Sequence, residues 1–212
     1  MFITFEGIDG CGKTTQSTAL EATLRQRGFD VVRVREPGGT GPGEALREIL
    51  INNSGMETLT ELFILCASRM ELTRKVIEPA LKAGKVVISD RYFDSSLVMQ
   101  GHACGMEAWV KAQDIIALMN LPQPHATVLL DVDPAVTKTR METRANLDQF
   151  ESRVLGYHKR VRRGFLRLAE SPEYRERFIV LDGNTDPEAL KETIVKKVIN
   201  RLHEIVPTSF HY

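Results

Sequence analysis

The 212-residue sequence predicts a three-layer α/β fold, in which a five-stranded parallel sheet is covered by helices on both faces. Three observations support this prediction. Short runs rich in β-branched residues alternate with longer stretches whose apolar residues recur at helical spacing. A glycine-rich turn joins the first run to the first helical stretch, and charged residues follow the next two runs. No repeat, low-complexity segment or linker interrupts the alternation, so a single domain over residues 1–212 is expected.

The predicted strands are short, and polar or glycine residues follow each of them. In chain order they are Phe2–Glu6, Val31–Arg35, Val86–Asp90, Ala126–Asp131 and Phe178–Asp182. Strands that alternate with helices pair in parallel, and the ligands of such sheets bind beyond the carboxyl ends of the strands. The residues that follow the strands are therefore the candidates for a functional site.

Helical spacing predicts further elements between and after the strands. They are Thr15–Arg27, Gly43–Ile51, Glu57–Ala83, Glu107–Asn120, Gln149–Glu170 and Pro187–Glu204. Part of the apolar stripe on the third helix must be core, and the sequence leaves open whether the rest is core or a dimer face. The segment Ala135–Asp148 breaks the pattern and is dense in arginine, whereas the basic run Lys159–Arg163 is typical of a solvated helix face.

Composition excludes several classes of protein. The 28 basic and 28 acidic residues give zero formal charge, which disfavours nucleic acid as a partner but leaves anionic small molecules possible. Cys11, Cys66 and Cys104 form neither a metal-binding spacing nor a disulfide framework, so we expect reduced thiols in a cytoplasmic protein. The N-terminus does not resemble a signal peptide, and no apolar run approaches the roughly 18 residues of a membrane helix. We therefore expect no membrane partner.

The stretch GIDGCGKT between the first strand and the first helix fits the phosphate-binding pattern G-x-x-x-x-G-K-[ST]. Glycines allow the backbone to turn its N–H groups toward an anion, and the helix that follows directs its positive end to the same place. In this pattern the lysine reaches the β- and γ-phosphates of a nucleotide, and the hydroxyl takes a Mg²⁺ ligand position. The predicted nucleotide-binding residues are Gly7, Ile8, Asp9, Gly10, Cys11, Gly12, Lys13 and Thr14.

Two charged residues end the third strand. Asp90 lies where phosphate-loop enzymes place a carboxylate that organises Mg²⁺, so Thr14 and Asp90 are the predicted metal ligands. Arg91 would then face the crevice and could hold a second phosphate in a bidentate manner. The alternative is a surface ion pair between Asp90 and Arg91, which would carry little information.

Three other charged residues are candidates for the same crevice. Glu36 follows the second strand, where it lies either at the mouth of the crevice or in a plain turn fixed by Pro37. Asp9 lies within the phosphate loop and should point away from a triphosphate, toward a hydroxyl or a hydrated metal. Arg69, on an otherwise apolar helix side, either contacts the edge of a ligand base or extends its charged end to solvent.

Together these residues resemble the thymidylate kinases of the nucleoside-monophosphate kinase superfamily, over essentially the whole chain. The phosphate loop, the turn after the second strand and the end of the third strand match in this order. The matching segments are Met1–Gln16 (MFITFEGIDGCGKTTQ), Arg35–Thr40 (REPGGT), Ile88–Ser96 (ISDRYFDSS), Gln100-Gly101 and Leu130–Pro134 (LDVDP). The resemblance implies a P-loop kinase fold with strand order 2-3-1-4-5 and a small lid over about 138–151.

The resemblance also implies an activity, which is the Mg²⁺-dependent transfer of the γ-phosphate of ATP to dTMP. Asp9 would bind the 3′-hydroxyl of the sugar, Arg91 the acceptor phosphate with help from Arg47, and Arg69 the thymine edge. The acceptor site implied in this way is Asp9, Glu36, Arg47, Leu65, Arg69, Arg91, Ser96 and Gln100. A homodimer is expected.

The implied catalytic residues are Lys13, Asp9 and Arg91, together with two lid arginines, Arg140 and Arg144. One branch of the family carries a catalytic arginine in the phosphate loop, and this loop has none. A guanidinium near the transferring phosphoryl group contributes about 10³–10⁵ in rate, and a closing lid excludes water.

The sequence departs from the family at three positions. Leu65 and Met99 stand where a Phe and a Tyr are common, and Gln149 stands where an Arg is common. Because of Leu65 and Met99, a kinase for another pyrimidine nucleotide or nucleoside is one alternative. A GTP-hydrolysing switch is a second, although the sequence contains no guanine-binding Asn-Lys-x-Asp.

Overall fold

The computed structural model describes residues 1–53, 55–142 and 155–205, and its centre is a parallel sheet. The five strands pair in the order β2-β3-β1-β4-β5, which confirms the predicted order. Their bounds are also those predicted: β1 Phe2–Glu6, β2 Val31–Arg35, β3 Val86–Asp90, β4 Ala126–Asp131 and β5 Phe178–Asp182. Every residue of β1 and β3 is buried, because helices cover both faces of these strands.

The register of the sheet aligns the strand ends that carry charge. Phe5 of β1 lies opposite Asp90 of β3, and Arg35 of β2 lies opposite the same residue. Glu6, Glu36 and Arg91 therefore come from three neighbouring strands and meet at one edge of the sheet.

Helices account for most of the rest of the described chain. They are α1 Lys13–Gln26, α2 Gly41–Asn52, α3 Thr58–Leu72, α4 Glu78–Lys82, α5 Phe93–Ser96, α6 Met106–Leu118, α7 Pro134–Glu142, α8 Leu155–Glu170 and α9 Pro187–Ile205. The predicted long helix over 57–83 is α3 and α4 joined by a π-helical segment, Thr73–Ile77. A second π-helical segment, Leu97–Gly101, extends α5. No helix in the described ranges is both long and apolar enough to cross a membrane.

The structure corrects the expectation that residues 135–148 lack a regular pattern. Helix α7 occupies Pro134–Glu142, and the backbone N–H of Ala135 donates to the Asp133 carboxylate at 2.8 Å. An acidic cap followed by proline in the first helical turn is a start signal that does not depend on apolar spacing. The remainder of that segment lies outside the described residues, as does the predicted helix start at Gln149.

The structure shows how far the apolar stripe of α3 and the basic run of α8 are buried. On α3, Leu62, Leu65 and Cys66 are buried, whereas Phe63 is 54% exposed. On α8, where a solvated basic face was predicted, Arg162 is half-buried and its Nε donates to the Asp131 carboxylate at 2.6 Å. The other basic side chains of this run are exposed.

Candidate active site

A cleft of about 240 Å³ lies beyond the carboxyl ends of β1, β2 and β3. The phosphate loop, the turn after β2, α3 and the second π-helical segment form its walls. Among the lining residues are Asp9, Gly10, Gly12, Lys13, Thr14, Glu36, Arg47, Leu65, Arg69, Asp90, Arg91, Ser96, Met99 and Gln100. The cleft thus brings together all the predicted acceptor residues and both predicted metal ligands.

The phosphate loop has the backbone that its glycines allow. Gly7 has a φ of +139°, and a Cβ there would lie 2.7 Å from the carbonyl oxygen of Leu130. Lys13 is buried, and its Nζ donates to the carbonyl oxygens of Gly7 at 3.2 Å and Ile8 at 2.9 Å. The ammonium is therefore held inside the loop, where the N-terminus of α1 begins. Cys11 is buried beside it, with Sγ 3.8 Å from Nζ.

Thr14 and Asp90 form the candidate metal site. The Thr14 hydroxyl donates to the Asp90 carboxylate at 2.6 Å, so two hard oxygen ligands lie side by side next to Lys13. Mg²⁺ suits such a pair because it takes few protein ligands and keeps several waters or phosphate oxygens. In the described part of the chain no three His, Cys, Asp or Glu side chains cluster to enclose a metal.

Arg91 has the most unusual backbone among the charged residues of the cleft. Its φ is +73°, in the left-handed region that residues with a side chain seldom adopt. Its guanidinium forms an ion pair with Asp9 and donates to the carbonyl oxygen of Gly7 at 3.0 Å and to Ser95 Oγ at 2.9 Å. The alternative of a surface ion pair between Asp90 and Arg91 is therefore wrong, because the Arg91 guanidinium bonds Gly7, Ser95 and Asp9 at the phosphate loop.

The Asp9–Arg91 pair perturbs the acid–base behaviour of both groups. Burial alone would raise the pKa of Asp9, but the charges of Arg91 and Lys13 outweigh burial, and the pKa is lowered. Burial likewise opposes the charge of Arg91, but Asp9 and Glu6 outweigh it and raise its pKa. Both groups are therefore charged at neutral pH.

Glu6 is a part of this site that the sequence analysis missed. It is fully buried at the end of β1, and its carboxylate accepts from the Tyr92 backbone N–H at 2.8 Å and from Ser95 Oγ at 2.6 Å. Its carboxylate also lies 3.9 Å from the Arg91 guanidinium. Burial raises the pKa of Glu6 to about 8, with Asp94 adding to the effect and Arg91 opposing it. An acid at the end of an otherwise apolar strand was the signal that could have identified it.

Glu36 and Arg69 form a buried ion pair on the other side of the cleft. Arg69 Nε donates to the Glu36 carboxylate at 2.6 Å, and Nη2 donates to the carbonyl oxygen of Tyr92 at 3.1 Å. Arg69 is only 1% exposed, so its charged end does not extend to solvent. Burial raises the pKa of Glu36 to about 6, although Arg69 pulls it down. The plain-turn interpretation of Glu36 is therefore wrong.

The remaining acceptor residues line the cleft from α2, α5 and the second π-helical segment. Arg47 Nη1 donates to the carbonyl oxygen of Pro37 at 3.2 Å, and Ser96 is buried. Gln100 is also buried, and its Nε2 donates to the carboxylate of Glu61 on α3. Met99 lies beside it, and its carbonyl oxygen accepts from the Tyr157 hydroxyl at 3.0 Å.

Of the two predicted lid arginines, Arg140 lies in the described residues, and it does not line the cleft. Arg140, on α7, donates to the carbonyl oxygen of Gly183 at 3.4 Å, just after β5. Gly183 itself lies against Cys11, because a Cβ on it would be 3.4 Å from the Cys11 carbonyl oxygen. Arg140 is therefore near the phosphate loop without lining the cleft. Arg144, and the predicted lid beyond residue 142, lie outside the described residues.

Comparison with known proteins identifies relatives over nearly the full chain. A thymidylate kinase from Caldanaerobacter subterraneus subsp. tengcongensis is 42% identical over 199 residues, covering 93% of this chain and 94% of the relative. A thymidylate kinase from Deinococcus radiodurans is also 42% identical, over 96% of this chain and 98% of the relative. The crystal structure of thymidylate kinase from Ehrlichia chaffeensis superposes with a TM-score of 0.76 at 33% identity, covering 94% of this chain and 98% of that one.

The family model described as thymidylate kinase matches residues 5–194. That span contains the phosphate loop, the end of β3, the α3 face with Arg69 and the segment with Gln100, which are the elements that form the cleft. Because the family match, the full-length relatives and the solved structure agree with the geometry, the chain belongs to the thymidylate kinase family.

Proposed function

We propose that the cleft beyond β1, β2 and β3 is where this chain binds both substrates and transfers the phosphoryl group. As a member of its family, the chain is a kinase that phosphorylates dTMP with ATP. The observation that supports the choice of cleft is the position of Arg91, whose guanidinium bonds the Gly7 carbonyl at 3.0 Å. A cation for a second phosphate thus lies directly beside a loop that binds the phosphates of the donor.

The donor side of the proposed site is the phosphate loop. Its backbone N–H groups and the start of α1 would hold the ATP phosphates. Lys13 would exchange its contacts with the carbonyls of Gly7 and Ile8 for the β- and γ-phosphate oxygens. Thr14 and Asp90 would hold Mg²⁺, which supplies positive charge to the phosphates when it is bound.

The acceptor side is the opposite wall. Arg91 and Arg47 would bind the phosphate of dTMP, and Asp9 would accept a hydrogen bond from the 3′-hydroxyl. Arg69 and Gln100 would contact the base edge, with Ser96 and Leu65 lining the base pocket. Glu36 would act through Arg69, because its carboxylate holds the guanidinium at 2.6 Å.

Phosphoryl transfer requires little covalent chemistry from the protein, so positioning and charge neutralisation carry the catalysis. An oxygen of the dTMP phosphate attacks the γ-phosphorus of ATP, the bond from that phosphorus to the bridging oxygen breaks, and ADP leaves. Lys13 and Arg91 would neutralise the negative charge that the two anionic groups bring together. Arg140 and Arg144 would complete this neutralisation from the lid, a role taken from the family resemblance.

An acceptor panel tests the proposed function. Purified protein with ATP and Mg²⁺ would be given dTMP, dUMP, UMP or thymidine, and ADP release would be followed. We expect turnover only with an acceptor, and the highest kcat/KM with dTMP. A preference for thymidine would indicate the nucleoside kinase alternative, and ADP release without any acceptor would indicate a hydrolytic switch. Neither alternative is favoured by the family match.

The proposal extends to one domain, a homodimer and a cytoplasmic location. The family match over residues 5–194 supports a single domain. Exposed apolar side chains on α2, α3 and α6, namely Ile49, Phe63, Met106 and Val110, support a dimer face. The free thiols of Cys11, Cys66 and Cys104 are those expected in the reducing cytoplasm.

A further inference from the structure

We propose that Glu61, which lies behind the cleft wall, fixes the orientation of the Gln100 amide and thereby makes the base site select thymine over cytosine. The inference rests on the proposed function, because it assigns Gln100 to the acceptor base. Glu61 is a positioning residue in this account, since it acts on the base only through Gln100.

Glu61 and Gln100 are in direct contact through a buried hydrogen bond. Glu61 lies on α3 and is 4% exposed, and Gln100 is 2% exposed. Gln100 Nε2 donates to Glu61 Oε1 across the interface between α3 and the second π-helical segment. Leu65 and Arg69 follow Glu61 by one and two helical turns, so the same face of α3 carries the cleft wall. The carboxylate thus supports the wall from its far end.

The Glu61 carboxylate determines which end of the Gln100 amide faces it. In their hydrogen bond the Gln100 NH₂ group donates and the Glu61 carboxylate accepts, which leaves the carbonyl Oε1 as the other polar atom of the amide. Gln100 lines the cleft, so this pairing makes it a hydrogen-bond acceptor for a ligand. Without the carboxylate, the amide could turn over with almost no change in shape and offer a donor instead.

Arg69 supplies a hydrogen-bond donor on the same wall of the cleft as the Gln100 acceptor. Glu36 and the Tyr92 carbonyl engage Nε and Nη2, respectively. Nη1 is buried, and no residue within 1–53, 55–142 or 155–205 accepts from it. A buried guanidinium N–H without an acceptor costs free energy, so a ligand oxygen that reached Nη1 would be stabilised. The base wall therefore offers one fixed donor and one fixed acceptor.

The Arg69 donor and the Gln100 acceptor complement the hydrogen-bonding edge of some pyrimidine bases and not of others. Thymine and uracil present an N3–H donor beside the O4 acceptor, which complements an acceptor from Gln100 and a donor from Arg69. Cytosine presents an N3 acceptor and an N4 amino donor, so both contacts would be mismatched. A site built from such groups discriminates strongly, because the wrong base leaves buried polar groups unpaired. Glu61 does not sense the thymine methyl group, so dUMP and dTMP should respond alike to its loss.

The experiment compares Glu61→Gln with wild type on dTMP and dCMP. An amide at position 61 has nearly the same volume but can donate as well as accept, so the Gln100 amide is released. We expect the ratio of kcat/KM for dTMP over dCMP to fall by about 10- to 100-fold, mainly through a higher KM for dTMP. Glu71→Gln, the same change on the same helix but away from the cleft lining, is the matched control and should leave the ratio unchanged.

Two further variants separate positioning from a structural role. In a Gln100→Ala background, Glu61→Gln should change the ratio no further. Glu61→Asp retracts the carboxylate by one methylene and should lower the ratio by a smaller factor, which keeps a test available if Glu61→Gln does not fold. An equal loss with dTMP and dCMP in the folded variants would mean that Glu61 only supports the fold, and would overturn the inference.

The outcome also separates this inference from the proposed function. If wild type phosphorylates dTMP with a strong preference over dCMP and the Glu61 variants keep that preference, only the role of Glu61 is wrong. If wild type phosphorylates neither nucleotide, the proposed function itself is wrong, and the inference is overturned with it.

Discussion

Arg91 is the residue that most clearly connects backbone conformation with proposed function. A φ of +73° is strained for a residue with a side chain, and such strain persists only where surrounding contacts determine it. Here the backbone N–H of Arg91 donates to the Phe5 carbonyl at 3.0 Å, and the guanidinium bonds Gly7 and Ser95. These contacts aim the side chain across the phosphate loop, where an ordinary strand end would have directed it elsewhere.

At this scale, Arg91→Ala and Lys13→Ala should separate acceptor binding from catalysis. We expect Arg91→Ala to raise the KM for dTMP by about 10²-fold with a smaller change in kcat, because a charge-assisted contact with phosphate is lost. Lys13→Ala should lower kcat by about 10²–10³-fold with little change in that KM, because its contacts strengthen in the transition state. Steady-state kinetics with varied dTMP measures both, and Arg163→Ala on the exposed side of α8 is the control. An unchanged KM in Arg91→Ala would contradict the assignment.

The buried acid Glu6 should make stability depend on pH. Its pKa is about 8 in the folded protein, against an ordinary value of 4.5, so between these values the native state retains a proton that the unfolded chain releases. The free energy of unfolding must then fall as pH rises through this window. Glu6→Gln lacks this titration, so relative to wild type it should gain about 1–3 kcal/mol between pH 6 and pH 9.

Urea unfolding of wild type and Glu6→Gln at the two pH values measures this difference. Glu48→Gln on the exposed surface of α2 is the control, and its stability relative to wild type should be the same at both. A Glu6→Gln advantage that shrinks as pH rises would show that the burial of Glu6 is not what sets its proton affinity.

At the scale of elements, the spacing of apolar residues predicted the buried strands. It missed the elements whose ends or turns are determined by hydrogen bonds. The central strands β1 and β3 were predicted to the residue because helices cover both of their faces and burial favours apolar side chains there. Helix α7 was missed because its start depends on the Asp133 cap and Pro134, while its apolar spacing is weak. The π-helical segments were missed because one additional residue in a turn leaves no compositional mark.

The sequence predicted those site residues whose role is indicated by their immediate neighbours in the chain. Lys13 and Thr14 follow from a contiguous motif, and Asp90 and Arg91 follow from the end of a strand. Glu6 could be identified only as an acid at a strand end, and Glu61 had no local signal, because the contacts that make them important are with residues 89 and 39 positions away. Spacing along the chain carries no information about such pairs.

Helix α8 supports the segment that carries Met99 and Gln100, and two of its glycines offer a matched test. A Cβ on Gly164 would lie 2.8 Å from Val98 Cγ1 and 2.9 Å from His102 Nδ1, whereas a Cβ on Gly156 meets only Arg160 Nη1 at 3.9 Å. Gly164→Ala should cost about 1–3 kcal/mol of stability through overpacking. It should also raise the KM for dTMP, because Val98 and His102 flank Gln100.

Gly156→Ala is the control on the same helix. An alanine there should be neutral or stabilising by up to about 1 kcal/mol, because glycine is a poor helix former. Thermal unfolding and dTMP kinetics measure both variants. Equal behaviour of the two would mean that α8 does not press on the acceptor wall.

At the scale of the whole molecule, the exposed apolar side chains of α2, α3 and α6 predict self-association. Phe63 is 54% exposed on the helix that also carries Leu65 and Arg69 of the cleft. We expect sedimentation velocity to detect a dimer, and Phe63→Glu to convert it to a monomer by burying a charge in the interface. Val180→Glu, at a 46% exposed position of the edge strand β5, should leave the dimer intact. A monomeric wild type would remove the dimer from the proposal.

The ion pair between Arg91 and Asp9 gives the guanidinium a carboxylate partner at the position where we propose that the acceptor phosphate binds. If the proposed roles are right, the acceptor phosphate must displace the Asp9 carboxylate from the Arg91 guanidinium. The enthalpy of binding is then the difference between the Arg91–phosphate and Arg91–Asp9 interactions. Salt weakens both ion pairs, so the affinity for dTMP should depend on ionic strength less than the charges of the site and the ligand suggest. The exchange also couples phosphate binding to sugar binding, because an Asp9 carboxylate displaced by phosphate can accept a hydrogen bond from the sugar hydroxyl. Inorganic phosphate alone, or the nucleoside alone, would therefore obtain only part of the binding free energy of the complete nucleotide.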